Sequence, residues 1–250
     1  MAEVTNIAWC DSTWNPWIGC QKVSPGCDNC YAETLMDKRY HRVQWGPHGE
    51  RVRTSKANWR NPLKWHAGAA EFASVHGRRR RVFCSSLADV FDKAAPAGAR
   101  DDLWRLIEET PDMDWLLLTK RIENVRKFIP PAWREEPYWP RNIWLGVTAE
   151  NQEAFDARWP VLQSIPAAVR FISYEPAIGA LRFRPEDVEG LHWLICGGES
   201  GAGFRDMPEE WADEVRFDCG LAGVAFFIKQ MAGKGEIPHW LEVREFPVVA

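Results

Sequence analysis

Short apolar segments recur along the chain at regular spacing, and stretches with helical periodicity separate them. Six segments predict strands, and residues 14–19 add a candidate first strand; the six are 81–85, 115–118, 143–147, 170–173, 192–196 and 224–228. The helical stretches are 101–109, 122–128, 151–162 and 208–219. Continuous apolar strands alternating with amphipathic helices are typical of a parallel sheet covered by helices. We therefore predict an α/β fold, a partial or full TIM-like (β/α) barrel of six to seven parallel strands.

The length of 250 residues, 46% of them apolar, fits a single domain over residues 1–250. No apolar run approaches the roughly 20 residues of a membrane span, and the N-terminus lacks the layout of a secretory signal. We therefore expect a cytoplasmic protein without membrane contact. Disulfides are then a poor explanation for the seven cysteines.

Polar residues follow the C-terminal end of every predicted strand. In a parallel barrel these ends share the face that binds ligands, so the residues are expected to converge on one site. The alternative is that each strand simply ends where polarity returns. The residues are Ser85, Ser86 and Asp89, then Lys120 and Arg121, then Thr148, Glu150 and Asn151, then Tyr174 and Glu175, then Gly197, Gly198 and Glu199, and finally Lys229.

Three cysteines lie in one loop, residues 20–30, with the spacing C-x6-C-x2-C: Cys20, Cys27 and Cys30. Three thiolates can hold three corners of a 4Fe-4S cluster and leave the fourth iron open, whereas structural zinc takes four protein ligands. The spacing therefore favours the cluster. Zinc remains an alternative if a fourth ligand comes from Cys10, His41 or Cys84.

A basic insertion follows the loop and covers residues 38–81. It holds twelve Lys or Arg against two Glu, a net charge of +10 in a chain whose total is −4. Tryptophans also occur here, at Trp45, Trp59 and Trp65. Clustered cations attract polyanions through counterion release, and aromatic rings can stack on bases. The stretch from Lys38 to Arg81 therefore predicts nucleic-acid contact beside the cysteine loop; the alternative is a solvated, partly disordered insertion.

The loop from Asn15 to Ala32 resembles that of radical S-adenosylmethionine (SAM) proteins near the spore photoproduct lyase branch, which shares its Asn-Pro, Gly-Cys and Cys-Tyr pairs. Nearly the whole chain resembles a phage-associated family of three-cysteine-motif, radical-SAM-like proteins. The shared motifs are TWNP (13–16), SPGC (24–27), LGVT (145–148), SYEP (173–176), GGESG (197–201) and FFIKQ (226–230). The six-residue first gap is longer than the superfamily's usual three. Asn29 replaces an aromatic residue, for which Tyr31 is the candidate substitute.

The resemblance implies a radical-SAM barrel whose cluster binds SAM at the open iron and splits it to a 5'-deoxyadenosyl radical. An external electron donor is implied as well. By position, Ser85, Ser86 and Asp89 are candidates for the amino group of SAM, although Asp89 equally suits a helix cap. Gly197-Gly198-Glu199 resembles the cofactor motif of the superfamily but follows a late strand. We therefore keep Glu199 as a cofactor-binding candidate but do not assign it the amino-group role by analogy.

Further cofactor contacts are expected after two other strands. Thr148, Glu150 and Asn151 are candidates for the ribose hydroxyls, with helix capping as the alternative for Asn151. Gly197 and Gly198 permit close approach of adenine, or else a turn with positive φ.

The candidate catalytic residues are Glu175, Lys120 and Tyr174. Glu175 suits a base edge or a proton transfer, and Lys120 suits a carboxylate or phosphate. Tyr174 suits late proton or hydrogen-atom donation, with packing as its alternative.

These observations favour a radical SAM enzyme that modifies or repairs a nucleic acid base or nucleotide. A non-enzymatic nucleic-acid-binding module with structural zinc or a structural iron-sulfur site is the alternative. A third hypothesis is a cluster protein that acts through a separately encoded partner protein.

Overall fold

A computed structural model describes residues 2–134 and 138–248. Seven strands form one sheet in the order β1-β4-β5-β6-β7-β8-β9, and β2 pairs with β3 in a second, two-stranded sheet. The strands are β1 (Ser12–Trp14), β2 (Trp17–Ile18), β3 (Val52–Arg53), β4 (Arg80–Cys84), β5 (Met113–Thr119), β6 (Ile143–Thr148), β7 (Val169–Tyr174), β8 (Trp193–Gly197) and β9 (Ala225–Gln230).

Helices connect the strands of the large sheet. They are α1 (Tyr31–Glu33), which continues as a π-helical stretch (Thr34–Arg39), α2 (Lys56–Trp59), α3 (Asn61–Ala67), α4 (Ala69–His76), α5 (Ala99–Glu108), α6 (Val125–Phe128), α7 (Gln152–Gln163) and α8 (Glu209–Ala222). Short 3-10 turns occur at Pro25–Cys27, Ile122–Asn124, Pro131–Arg134, Pro185–Val188, Ala232–Lys234 and His239–Leu241. Among the described residues, no helix has the length and apolarity needed to cross a membrane.

The chain divides into two compact units, and the first comprises residues 2–22, 32–144 and 166–168. In this unit β4 pairs in parallel with β1 and β5. The fully buried ring of Trp14 meets Trp115 edge-on, with 5.6 Å between centroids. Strands buried on both faces read as continuous apolar runs, which explains why the sequence pattern located β4 and β5.

The second unit comprises residues 23–31, 145–165 and 169–248. Here β8 lies between β7 and β9, and both pairings are parallel. Trp193 is fully buried against Phe171 and Phe227, and its indole N–H donates to the carbonyl of Glu245 at 2.9 Å. The C-terminal segment is thereby tied to the core of this unit.

The predicted strands agree with the structure to within two residues at each end, apart from the first. The candidate strand at 14–19 was wrong: β1 ends at Trp14, and β2 pairs antiparallel with β3. Pro16 lies between β1 and β2 and has no N–H for a ladder, so the run is interrupted there. The helix predicted at 122–128 begins as a 3-10 turn before α6.

The basic insertion is folded, with α2, α3 and α4 in its second half. Its strand β3 pairs with β2, and the amide of Gly46 donates to the carbonyl of Cys20 at 3.0 Å. The insertion therefore borders the start of the cysteine loop, as the sequence predicted.

Candidate functional site

The seven cysteines are all free thiols, and they fall into two groups. Cys20, Cys27 and Cys30 are partly exposed, whereas the other four, Cys10, Cys84, Cys196 and Cys219, are buried. The buried four therefore pack as small apolar side chains. The loop is divided between the units: Cys20 belongs to the first, and Cys27 and Cys30 belong to the second.

Three soft thiolate donors suit an iron-sulfur cluster, and partial exposure leaves the motif cysteines accessible to iron. Cys10 donates its thiol to the carbonyl of Ile7, and fully buried Cys84 contacts Ser85. Within residues 2–134 and 138–248, no group of three or more His, Cys, Asp or Glu is arranged to hold a metal ion. The three-cysteine ligand set therefore stays a prediction from the sequence.

Arg121 is the charged group that contacts Cys20. Its Nη1 donates to Cys20 Sγ at 3.5 Å, and its Nη2 donates to the carbonyl of Gln21 at 2.9 Å. The guanidinium also forms an ion pair with Asp89 at 2.8 Å, and both side chains are buried. Arg121 follows β5, so the end of that strand places a fixed positive charge beside the first cysteine.

Asp89 has hydrogen bonds to both carboxylate oxygens. Its donors are the Thr119 hydroxyl, Arg121 Nη1 and the backbone amides of Lys120 and Phe91. These bonds leave Asp89 little capacity for the amino group that the sequence predicted for it. Its contact in the structure orients Arg121.

The thiol of Cys20 is strongly affected by its surroundings. The loss of solvent around this partly exposed thiol, with a smaller contribution from Asp89, raises the pKa of Cys20 to about 12, against the opposing charge of Arg121. A thiolate at this position therefore needs further positive charge, which a metal ligated by sulfur supplies.

Asn15 connects the cysteine loop to the turn after β4. Its side-chain amide donates to the Ser86 hydroxyl at 3.0 Å, and its Oδ1 accepts from the amide of Leu87 at 2.7 Å. Ser85 is buried with φ 70°, and its amide donates to the carbonyl of Trp14. The two serines proposed for the cofactor thus hold Trp14 and Asn15, which precede the cysteine loop. In the sequence, Asn15 is notable as part of the Asn-Pro pair. Its hydrogen-bond partner Ser86 could not be predicted, because it lies 71 residues away.

In the second unit, Glu199 is bound to the segment that carries Cys27 and Cys30. Its carboxylate accepts from Asn29 Nδ2 at 2.8 Å, from the amide of Arg205 at 2.8 Å and from the guanidinium of Arg205. Arg205 also donates to the carbonyl of Pro25 at 2.9 Å. We call Asn29, Glu199 and Arg205 the loop clamp.

The loop clamp gives two sequence features a structural role. Asn29, where the resemblance led us to expect an aromatic residue, donates to Glu199 and to the carbonyl of Gly203. Burial alone would raise the pKa of Glu199, but the bonds from Arg205 and Asn29 hold that pKa below its ordinary value. Glu199 is therefore a charged anchor of the loop.

Glu150 is buried and pairs with Arg158 at 2.7 Å. The same guanidinium nitrogen donates to the carbonyl of Thr148. Asn151 caps α7 by accepting from the amide of Ala154 at 2.9 Å, which confirms capping, its alternative role. A Cβ on Gly26 would lie 3.0 Å from the Glu150 side chain, so the cysteine segment packs closely against this carboxylate.

Gly197, the last residue of β8, and Gly198 have close protein neighbours. A Cβ on Gly198 would lie 2.5 Å from the backbone nitrogen of Ala232, and one on Gly197 would lie 3.0 Å from Glu175 Oε1. Neither glycine has a positive φ, so the turn alternative was wrong. Gly198 must therefore be glycine because the backbone of Ala232, just after β9, leaves no space for a Cβ.

Glu175, a candidate catalytic residue, forms an ion pair with Lys229 at 2.7 Å. Ser173 lies beside it and donates to Glu175 Oε2 at 3.4 Å. Tyr174 is fully buried, and its hydroxyl donates to the carbonyl of Gly179 at 2.6 Å. Burial also raises the pKa of Tyr174, so its packing role is the one that the contacts support.

The structure also shows the positions of two further candidates, Lys120 and Tyr31. Lys120 is half-buried and its backbone amide donates to Asp89. Tyr31 is 51% exposed at the start of α1.

Half of the cations in the basic insertion are paired with carboxylates from outside it. The six pairs are Lys38–Glu33, Arg51–Asp92, Arg53–Asp102, Arg78–Asp11, Arg79–Asp114 and Arg80–Glu3. Arg81 is buried. The tryptophans are less available than the sequence suggested, because Trp65 is buried and Trp59 packs on Trp14.

Five cations of the insertion are exposed and form no ion pair within the part of the chain that the structure describes. They are Arg39, Arg42, Lys56, Arg60 and Lys64. The guanidiniums of Arg39 and Arg42 lie 5.5 and 6.0 Å from the ring centroid of Tyr40, which is 50% exposed.

Two solved structures of spore photoproduct lyase are similar to this chain. A double mutant of that enzyme, with bound AdoMet and a dinucleoside spore photoproduct, matches at a TM-score of 0.50 and 10% identity, covering 88% of this chain and 76% of that one. A single mutant matches at 0.47 and 11% identity, covering 87% and 75%. The first match shows the fold, an α/β partial barrel of seven parallel strands of the radical-SAM type.

A family model covers residues 4–241 and carries the description "Protein of unknown function (DUF5131)". The chain belongs to this family. No curated protein matches the sequence.

Proposed function

We propose that this protein is a radical SAM enzyme whose 4Fe-4S cluster is held by Cys20, Cys27 and Cys30. The observation that carries the proposal is the division of the cysteines: the three of the motif are partly exposed, and the other four are buried. Arg121 and the loop clamp hold the loop through charged hydrogen bonds, as suits a preorganised ligand loop.

When bound, the cluster and SAM supply a 5'-deoxyadenosyl radical that abstracts hydrogen from the substrate, after reduction by an external electron donor. The task of the protein is to bind, orient and exclude competing reactions. Lys229 and Glu175 form a polar pair at the ends of β9 and β7, where barrels of this type bind ligands. We assign this pair to the substrate and retain Lys120 as a candidate for an anionic group.

The proposed substrate is a nucleic acid base or nucleotide. Its support is the group of five exposed cations in the basic insertion, together with the exposed ring of Tyr40. A base within a duplex would have to be flipped out of the stack to react.

Cofactor cleavage tests the proposal. Protein reconstituted anaerobically with iron and sulfide, then reduced with dithionite, is expected to convert SAM to 5'-deoxyadenosine. Cys27→Ala should fold, as judged by circular dichroism, without cleaving SAM, whereas Cys219→Ala should retain cleavage because Cys219 is buried in a helix.

Three outcomes point elsewhere. A loaded protein that leaves SAM intact contradicts the enzyme proposal. Loss of folding in Cys27→Ala, together with tightly bound zinc, favours a non-enzymatic nucleic-acid-binding module. Cleavage that requires a cell extract of the native host favours a cluster protein acting with a separate partner.

A further inference from the structure

Among the motif cysteines, and within the described residues, Cys20 has a cationic hydrogen-bond donor at its sulfur. Arg121 Nη1 lies 3.5 Å from Cys20 Sγ, and Nη2 of the same side chain holds the carbonyl of Gln21 at 2.9 Å. Sequence spacing gave no sign of this contact, because the two residues are 101 positions apart.

The guanidinium of Arg121 is held firmly. Asp89 accepts from Nη1 at 2.8 Å, and the Thr119 hydroxyl donates to Asp89 while accepting from the amide of Arg121 at 2.9 Å. Only 6% of the Arg121 side chain and 7% of the Asp89 side chain are exposed. A charge fixed in such a dry setting acts more strongly on its neighbours than one in water.

We propose that Arg121 sets the reduction potential of the cluster through its hydrogen bond to Cys20, with Asp89 as the opposing charge. The inference rests on the proposed function. Hydrogen bonds to cluster sulfur and local charge both change the potential of iron-sulfur sites. Reduction adds negative charge, so the positive group nearest to the sulfur stabilises the reduced form.

Substitutions of Arg121 and of Asp89 are therefore expected to shift the midpoint potential of the cluster in opposite directions. Arg121→Met removes the donor and its charge, so the midpoint potential should fall, with about tenfold less reduced cluster at a fixed potential, the change that ~59 mV gives for one electron. Asp89→Asn removes the negative charge and should raise the midpoint. Arg121→Lys keeps a charge without the planar fork and should lie between the wild type and Arg121→Met.

The measurement is a potentiometric titration of the reconstituted protein, followed by electron paramagnetic resonance of the reduced cluster. Arg78→Met is the matched control, since Arg78 pairs with Asp11 in the same unit and has no bond to a motif cysteine in the part of the chain that is described. Its midpoint should equal that of the wild type.

If Arg121 and Asp89 had a purely structural role, Arg121→Met and Asp89→Asn would shift the midpoint potential in the same direction. That result would overturn the inference, and so would midpoint potentials that do not change in either variant. If Arg121→Met takes up no cluster, Asp89→Asn decides: a raised midpoint supports the inference, and an equal or lower one overturns it. A loaded, SAM-cleaving wild type with unchanged variants contradicts this inference alone. A wild type that takes up no iron removes the proposed function as well.

Discussion

Gly198 is a position where the backbone of the protein itself demands glycine. The site was predicted because glycine permits close approach of a flat ring, and the structure brings the backbone of Ala232 to it instead. The side chain of Gln230 donates to the carbonyl of Gly198 at 2.8 Å and fixes the same contact. At the residue scale, the close neighbour that the structure shows at Gly198 is the backbone of Ala232, and the approach of adenine stays a prediction.

Gly198→Ala should destabilise the protein by about 1–3 kcal/mol, because the new methyl group meets rigid backbone. Gly220 provides the matched control: it lies within α8, and no atom is within 4 Å of the position of a new Cβ. Gly220→Ala should leave stability unchanged or raise it by up to about 1 kcal/mol. Urea denaturation of both variants checks the pair, and equal stabilities would contradict the packing argument.

Side-chain pairs that are distant in sequence could not be predicted. Glu199 and Asn29 are 170 positions apart, and Arg121 and Cys20 are 101 apart. Each residue was notable by itself, as part of a motif or at a strand end. The partner of each depends on the path of the whole chain, which periodicity and spacing do not contain.

The loop clamp is the element that determines how Cys27 and Cys30 are presented in their unit. Arg205 links Glu199 to the carbonyl of Pro25, and the turn beyond is closed by bonds from the amides of Cys27 and Asp28. Without the guanidinium of Arg205, the buried carboxylate of Glu199 loses its charged donor and keeps two neutral ones, Asn29 Nδ2 and the backbone amide of residue 205. The loop should then open locally before the sheet does.

Arg205→Met should cost about 1–3 kcal/mol, since it removes the charged donor of a buried carboxylate together with the bond to the carbonyl of Pro25. Faster hydrogen exchange at the amides of Cys27 and Asp28 is the measurement. Arg216→Met is the control, because Arg216 pairs with Asp213 on the surface of α8. Equal exchange in the two variants would show that the clamp does not hold the loop.

The clamp also makes loop order depend on pH. The pKa of Glu199 lies below its ordinary value of about 4.3. The stability that this carboxylate contributes is therefore fully present above the ordinary value and is lost as pH falls through the lower pKa of the folded state. The protection of the Cys27 amide, its exchange rate relative to the intrinsic rate at the same pH, should fall more steeply with acid in the wild type than in Glu199→Gln.

The elements of the sheet were the most predictable part of the molecule. Strands such as β6 are buried along their whole length, so their apolar runs stand out against polar connections. The first strand was misplaced because Trp14 and Trp17 are both fully buried and read as one run across Pro16. Burial alone could not show that the two residues belong to different sheets.

At the scale of the whole molecule, the basic insertion is less positive at its surface than its composition suggested. Six of its twelve cations are paired with acids from elsewhere in the chain, a pattern that composition cannot predict. The exposed group around Tyr40 is the part that remains suited to a polyanion. We therefore propose that nucleic acid contacts only this exposed part of the basic insertion, and not all of residues 38–81.

Replacing Arg39 and Arg42 together with Gln should weaken binding of a single-stranded oligonucleotide about tenfold. Loss of two phosphate contacts should also reduce the slope of log K against log salt by about 1.4. Fluorescence anisotropy across a salt series measures both. The control is Arg184→Gln, an exposed arginine paired with Asp187. An equal loss of affinity in the double variant and in Arg184→Gln would contradict a specific role for the two arginines beside Tyr40.

The central claim is that the three motif cysteines hold an iron-sulfur cluster. Iron and sulfide analysis after anaerobic reconstitution tests it most directly, with Cys27→Ala analysed in parallel. The account predicts about four irons and four sulfides per chain in the wild type, as a 4Fe-4S cluster requires, and little of either in the variant. A colourless wild type with one tightly bound zinc would contradict it.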